Sequence, residues 1–145
     1  MIIEMKKLNP KALLPTYQTK DSSGADIYAL LDQAISIPHG QIAIIPTGLS
    51  VAIPSGYEMQ IRARSGLASK GLLIPNGPGT IDADYRGEIK VLLLNLSGAN
   101  FEITPEMRIA QAIISPVLQA NFTITKELAK TERGNGGFGS TGTHN

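Results

Sequence analysis

NGPGTIDADYRGEIKVLLL, residues 76–94, is the stretch on which the reading of the fold turns. Turn chemistry at Asn76-Gly77-Pro78-Gly79 leads into Thr80-Ile81, and a polar group follows at Asp82, Asp84, Tyr85 and Arg86. Gly87 gives a second turn, and an apolar run comes after it. Glycine and proline clusters around β-branched residues predict a hairpin. Aspartate is a poor strand former, so one of the acids is a candidate for a task other than folding. On a regular strand Asp82 and Asp84 share one face. A bound cation and a salt bridge to Arg86 are both open to them, while Tyr85 points the other way as a cross-strand aromatic.

Outward from this stretch, period-two alternation is cleanest in residues 57–64. Tyr57, Met59, Ile61 and Ala63 occupy one face, and Glu58, Gln60, Arg62 and Arg64 the other, as in a half-buried strand. Further short strands are predicted at residues 2–8, 25–30, 35–37, 89–96, 101–103 and 109–118. Residues 41–53 hold two more, split by Pro46-Thr47-Gly48. Fifteen glycines and nine prolines among 145 residues leave little room for long helices, so short strands must carry the core. Ser65-Gly66-Leu67-Ala68 is the predicted helical turn, with Ser65 as N-cap and Gly71 closing it. The glycine-rich run at residues 133–142 suits neither a core strand nor a core helix. The chain reads as an all-β sandwich or barrel over residues 1–125, with a flexible C-terminal arm over residues 126–145.

Composition narrows the function. A chain of this length can bury roughly 70% of its unfolded surface as one domain. A formal charge of +1 lacks the basic excess of a dedicated nucleic-acid binder. The absence of cysteine excludes disulfides and thiolate metal sites and is compatible with a reducing cytosol. His39 and His144 share no helical face, which argues against a histidine metal site. Neither a leader nor a membrane-spanning run is recognised, so the expected location is cytoplasmic.

Each candidate site has a structural alternative. The Ser65 turn, next to Arg64, offers backbone N–H groups to a phosphate or is simply a capped surface turn. Asp26 is a turn aspartate bonded to its own backbone, or a carboxylate reaching hydrated Mg²⁺. Arg108, ahead of Ile109-Ala110-Gln111, suits edge protection of a strand. In the tail, Phe138 could stack on a base and Arg133 could meet a terminal phosphate; a plain linker is the alternative.

Together and in order, these segments resemble the five motifs of the trimeric dUTPases, from Gly24 to Gly142. They are Gly24-Ala25-Asp26-Ile27-Tyr28-Ala29, Arg64-Ser65-Gly66-Leu67-Ala68, residues 76–87, Arg108-Ile109-Ala110-Gln111 and residues 133–142. The resemblance implies a jelly-roll-like β-barrel subunit of the β-clip kind, assembled as a homotrimer with active sites shared between subunits. It implies Mg²⁺-dependent hydrolysis of dUTP to dUMP and pyrophosphate, which keeps uracil out of DNA and supplies dUMP for thymidylate synthesis. Asp82 would be the general base acting on the attacking water, and Asp26 would reach the metal through water only. Arg64, Ser65, Gly66 and Gln111 would hold phosphates. Asn76, Thr80, Ile81, Tyr85 and Lys90 would line the nucleoside site, with Tyr85 against the deoxyribose where a 2′-hydroxyl would clash. Arg133, Phe138, Gly139, Ser140 and Thr141 would close over the nucleotide, and Arg108 would support its own motif. Met107 and Ser23 depart from the family pattern, both outside the proposed chemistry. No nucleic-acid or membrane partner is implied. Two other readings remain, a dCTP deaminase-like enzyme and a non-catalytic nucleotide-binding regulator. The first calls for a glutamate in the hairpin, where this chain has Ala83-Asp84-Tyr85.

Overall fold

The alternation seen in residues 57–64 folds as a strand whose Met59 and Ile61 are buried while Arg62 is exposed. The computed structural model describes residues 1–142. In chain order its elements are β1 (Glu4–Lys7), β2 (Ala25–Tyr28), β3 (Ile35–Ile37), β4 (Ile42–Pro46), β5 (Leu49–Ala52) and β6 (Tyr57–Arg62). There follow α1 (Ser65–Ala68), β7 (Leu72–Leu73), β8 (Gly79–Ile81), β9 (Lys90–Asn95), β10 (Phe101–Ile103) and β11 (Arg108–Pro116). The strands form antiparallel sheets in the orders β2-β11-β6-β8, β4-β9-β7, β1-β5 and β3-β10. The sheets pack around one core without closing on themselves, the jelly-roll-like arrangement expected of the all-β chain.

All four sheets contribute to that core, through Ile27, Ile45, Val51, Val91, Ile103 and Ile109 among others. Each such side chain, fully buried, contributes about 1.5–3 kcal/mol. Polar side chains sit among them as well, Thr47 and Asn95 the most deeply. Asn95 is fully buried, yet its Nδ2 donates to Ile37 O and Ala99 O, each at 2.7 Å, and its Oδ1 accepts Ser97 N–H at 2.9 Å. Asn95 thereby ties β9 to β3 and shapes the turn that follows it.

The predicted hairpin is corrected. β8 pairs with β6, through Met59↔Ile81, Gln60↔Thr80 and Ile61↔Gly79, whereas β9 pairs with β4 and β7 in another sheet. Residues 82–89 are a crossing between sheets. β9 buries Val91, Leu93 and Asn95 from a different sheet, in which β4 pairs along most of its length and β7 with its last two residues. The two-residue β7 is too short to announce itself as a periodic pattern.

After Pro116 the chain leaves the sheets. Val117 N–H still donates to Gly56 O at 2.9 Å, but the later described backbone hydrogen bonds are local turns. Leu118, Phe122, Ile124 and Leu128 are exposed. No helix among the described residues is long and apolar enough to cross a membrane.

Replacing Asn95 with leucine enlarges a fully buried side chain and takes the donor from the buried Ile37 O, whereas Ala99 O keeps the Ser97 hydroxyl and Ser97 N–H lies near solvent. With about 1–3 kcal/mol for a buried group left unbonded and a similar cost for overpacking, Asn95→Leu is expected to destabilise the fold by about 2–4 kcal/mol. Chemical denaturation of the two proteins measures this.

Candidate active site

Strand register brings the first cluster together. Gln111 on β11 lies opposite Asp26 of β2 on one side and Arg62 of β6 on the other. The chain then turns out of β6 so that Arg64 reaches back over Asp26. Arg64 Nε is 2.9 Å from Asp26 Oδ1, and Arg108 Nη1 is 3.2 Å from Asp26 Oδ2. Arg64 Nη1 also donates to Arg108 O at 3.0 Å. The Asp26 side chain is only 8% exposed, against 29% and 43% for the two arginines. Asp26 is therefore no turn aspartate. It stands inside β2, with its backbone bridged to Thr16. Arg108, which pairs with Tyr28 of β2 at the start of β11 and lies beyond the end of β6, turns its guanidinium onto Asp26.

Above this knot sits the Ser65 turn, and here the predicted cap is corrected. Arg64, not Ser65, occupies the N-cap position, in extended conformation and with no side-chain cap hydrogen bond. Its guanidinium is committed to Asp26, and Ser65 becomes the first helical residue. Leu67 and Ala68 N–H groups bond to Arg64 O at 3.0 and 2.9 Å, while those of Ser65 and Gly66 find no partner among the described residues. Gln111 Nε2 donates to Ala63 O at 2.9 Å and stands over Gly24. A methyl group at Gly24 would lie 2.9 Å from Gln111 Cδ and overlap its Oε1. A cleft of about 520 Å³ opens here, lined by Asp26, Arg64, Ser65, Gly66, Lys70 and Gln111 among others. Guanidinium, hydroxyl, amide and free N–H groups on one wall suit an anion with several oxygens.

Asp82 lies elsewhere. Strand β8 ends at Ile81, so period-two reasoning does not apply to Asp82 and Asp84. They stand in a turn closed by Tyr85 N–H to Asp82 O at 3.2 Å. Asp82 is exposed and has no ion pair among the described residues. It lines a cleft of about 720 Å³ together with Glu58, Thr80, Asp84 and Gln119. Arg86 does not pair with either acid; it donates to Ala83 O at 2.6 Å and Tyr85 O at 2.9 Å. Tyr85 is no core aromatic: it is exposed, and its hydroxyl donates to Glu88 O at 3.0 Å. Nearby, Asn76 and Thr80 are exposed, Ile81 packs on the core, and Lys90 lies 3.7 Å from Glu88 Oε2.

The two clusters are well separated in one chain. Ile81 pairs with Met59 near the start of β6, whereas Ser65 lies beyond the other end of that strand. At roughly 3.3 Å per strand residue, Asp82 and Ser65 stand on the order of 20 Å apart. The arm forms a third group. Arg133 Nε donates to Gly136 O at 2.9 Å, Ser140 N–H bonds to Gly137 O at 3.0 Å, and Phe138, Gly139 and Thr141 are exposed. None of the arm's described hydrogen bonds or ion pairs reaches either cleft.

Sequence reasoning missed Lys70 and Glu58. Lys70 lines the anion cleft four residues after Gly66, a spacing that places side chains on one side of a helical turn. Glu58, on the outward face of β6, was counted as a solvated strand residue. His39 Nδ1 accepts Gly98 N–H at 3.1 Å, and His144 lies outside the described residues. No group of three histidine, aspartate or glutamate side chains among the described residues is placed to hold a metal ion. Asp26, the carboxylate in the anion cleft, already has both oxygens on arginines. That donor set fits a cation that keeps its waters and takes its inner ligands from phosphates, and does not fit an all-protein cage.

The dUTPase family model matches residues 10–142. The chain is 56% identical over 143 residues to a deoxyuridine 5′-triphosphate nucleotidohydrolase of Nautilia profundicola, covering 98% of this chain and 99% of that one. It is 54% identical over 131 residues to that of Chlamydia pneumoniae, covering 89% and 90%. Among solved structures, the Staphylococcus bacteriophage 80alpha dUTPase with dUPNHPP superposes with a TM-score of 0.88 at 27% identity, over 98% and 99% of the chains. A mutant dUTPase of phage phi11 of S. aureus shares the fold, with a TM-score of 0.78 at 23% identity over 88% and 98%; that protein coordinates a structural Mg(II) ion.

Asp26→Asn removes the charge that both guanidiniums face. Because the arginines retain access to water, the expected loss is about 1–3 kcal/mol rather than the full cost of breaking a buried pair. Thermal or urea denaturation of the variant reads it.

Proposed function

The chain belongs to the dUTPase family, and on that premise we propose how its residues divide the hydrolysis of dUTP. The reaction is dUTP hydrolysis, as the names of its relatives state, and this decides against the deaminase reading. In our reading water attacks the α-phosphorus. The new P–O bond forms as the bond to the bridging oxygen breaks, and dUMP and pyrophosphate leave in one step. Such a displacement needs positioning and charge neutralisation more than covalent help.

The observation that carries this reading is the contrast between two carboxylates. Asp26 is buried and spends both oxygens on arginines, while Asp82 is exposed and without an ion pair among the described residues. Asp26 is thus suited to hold Arg64 in place, and Asp82 to take a proton from water. Arg64, the Ser65 hydroxyl, the Ser65 and Gly66 N–H groups and Gln111 receive the phosphates, with Lys70 adding a further positive charge on the same wall. Asn76, Thr80, Ile81 and Lys90 frame the uracil and sugar site, and Tyr85 stands where a ribose 2′-hydroxyl would clash. Mg²⁺ would be the cofactor of this scheme, supplying neutralisation of phosphate charge, and Asp26 would be the residue that holds it, through water.

A homotrimer with shared sites accounts for the separation of the clusters. Asp82 of one copy would meet the Arg64 cleft of another, and the arm of a third would deliver Arg133, Phe138, Gly139, Ser140 and Thr141. The apolar residues Leu118, Phe122, Ile124 and Leu128, uncovered in the single chain, support burial against another copy. On this reading the body is residues 1–125 and the closing arm residues 126–145. A cytoplasmic location suits a substrate drawn from the DNA precursor pool.

Two outcomes are expected. Asp82→Asn lowers turnover roughly 10²–10⁴-fold while retaining affinity for a non-hydrolysable dUTP analogue; near-normal pyrophosphate release would remove Asp82 as the base. Truncation before Arg133 leaves a folded trimer by light scattering but little activity. Full activity in the truncated protein would remove the arm from the mechanism.

A further inference from the structure

Gly87 has no backbone reason to be glycine. It is not among the residues with positive φ, so alanine could adopt its conformation without strain. Its β position is closed by a side chain instead. A methyl group there would lie 2.5 Å from Tyr85 Cζ and 2.9 Å from Cε2, and would overlap the hydroxyl. The Tyr85 ring therefore rests against the bare α-carbon of Gly87, with its O–H donating to Glu88 O at 3.0 Å. Glu88 is fastened in turn, since its Oε1 accepts Gly48 N–H at 2.9 Å and its Oε2 lies 3.7 Å from Lys90 Nζ. The seat of the ring is thus anchored to the connection between β4 and β5.

We propose that Gly87 sets the sugar specificity of the enzyme, by leaving room for Tyr85 to lie where it excludes a ribose 2′-hydroxyl. The inference rests on the role given to Tyr85 above and adds the residue that places it. Apolar walls reject an added hydroxyl only about a hundredfold, and they do so only while the wall stays put. Tyr85 is 42% exposed, so a methyl group at residue 87 pushes the ring toward solvent and leaves the core intact. The displaced ring then no longer closes the space beside the 2′ carbon. Gly87 is a positioning residue, and its effect appears in discrimination between substrates more than in stability.

The test compares kcat/KM for dUTP and UTP in the wild type, Gly87→Ala, Tyr85→Ala and the double variant, each as the full chain. Gly87→Ala is expected to lower the dUTP-to-UTP ratio about tenfold or more, with Tm within about 3 °C of the wild type. It should add nothing once Tyr85 is alanine, as coupled residues behave. In the wild-type protein, nuclear Overhauser contacts between Gly87 Hα and the Tyr85 ring are also expected. If Tyr85→Ala lowers the ratio and Gly87→Ala does not, this inference alone fails. If Tyr85→Ala leaves the ratio unchanged, the role of Tyr85 fails and takes the inference with it. Absence of the ring contact, or a Gly87→Ala chain that does not fold, would make Gly87 a structural glycine and overturn the proposal.

Discussion

One carboxylate between two guanidiniums holds the site in shape. Burying an ionised aspartate is costly unless it is both paired and hydrogen-bonded, and Asp26 meets both conditions. Its oxygens face Arg64 and Arg108, and its backbone N–H and C=O are bridged to Thr16 at 2.8 and 3.2 Å. The three residues come from β2, from the start of β11 and from the corner after β6, so the triad fixes those three segments against one another. Guanidinium has five donors in a rigid fork and stays charged at any working pH. Arg64 can therefore spend Nε on Asp26 and Nη1 on Arg108 O and still present N–H groups to the cleft.

That arrangement sets the two acids apart in the roles proposed for them. A base must be open to water and unpaired; an orienting acid must be shielded and paired. Asp26 and Asp82 differ in both respects, because one lies inside a strand under two arginines and the other in a turn beyond the end of β8. The distance between them within one chain follows from the length of β6. In the proposed trimer that length is useful, since each copy contributes its anion cleft at one end of β6 and its base at the other. Glu58 lines the same cleft as Asp82, at that end of the strand.

The strands were most legible where burial alternates along them. Met59 and Ile61 on β6, and Val91 and Leu93 on β9, show the period directly. The pairing of the strands was less legible. Residues 76–94 look locally like a hairpin, yet their two halves join different sheets, and nothing within the stretch records that β4 and β7 are better neighbours for β9. The Ser65 cap failed for a related reason. Serine is the better N-cap by local preference, but Arg64 is pulled into that position by Asp26, nearly forty residues earlier in the chain. Asp26 itself, read locally, was either a turn residue or a metal contact; its arginine partners emerge only from the register of β2 on β11. The motif resemblance gathered the site residues together, whereas the structure puts Asp26, Arg64, Ser65, Gly66 and Gln111 on one cleft and Thr80 and Asp82 on another, with Asn76, Ile81, Tyr85, Lys90 and the arm residues lining neither.

The glycines of the motifs carry a second kind of information, separable by a simple physical test. Gly71 needs to be glycine on two counts: its φ is +85°, and a Cβ would lie 2.7 Å from the backbone of Ser97. Gly24 and Gly87 have ordinary φ, and their β positions are filled by Gln111 and Tyr85, so each makes room for a side chain assigned to the substrate. Gly66 fits neither description. Its φ is not positive, and no atom from outside its own helical turn lies within 4 Å of where its Cβ would be. Glycine within a helical turn costs about 1 kcal/mol relative to alanine, and nothing in the single chain offsets that cost. The space beside Gly66 opens onto the anion cleft, next to N–H groups that no residue of the described chain accepts. A glycine that serves neither backbone nor packing, beside donors without acceptors, is accounted for by an oxygen-rich ligand approaching the main chain, as the triphosphate does in the proposed mechanism.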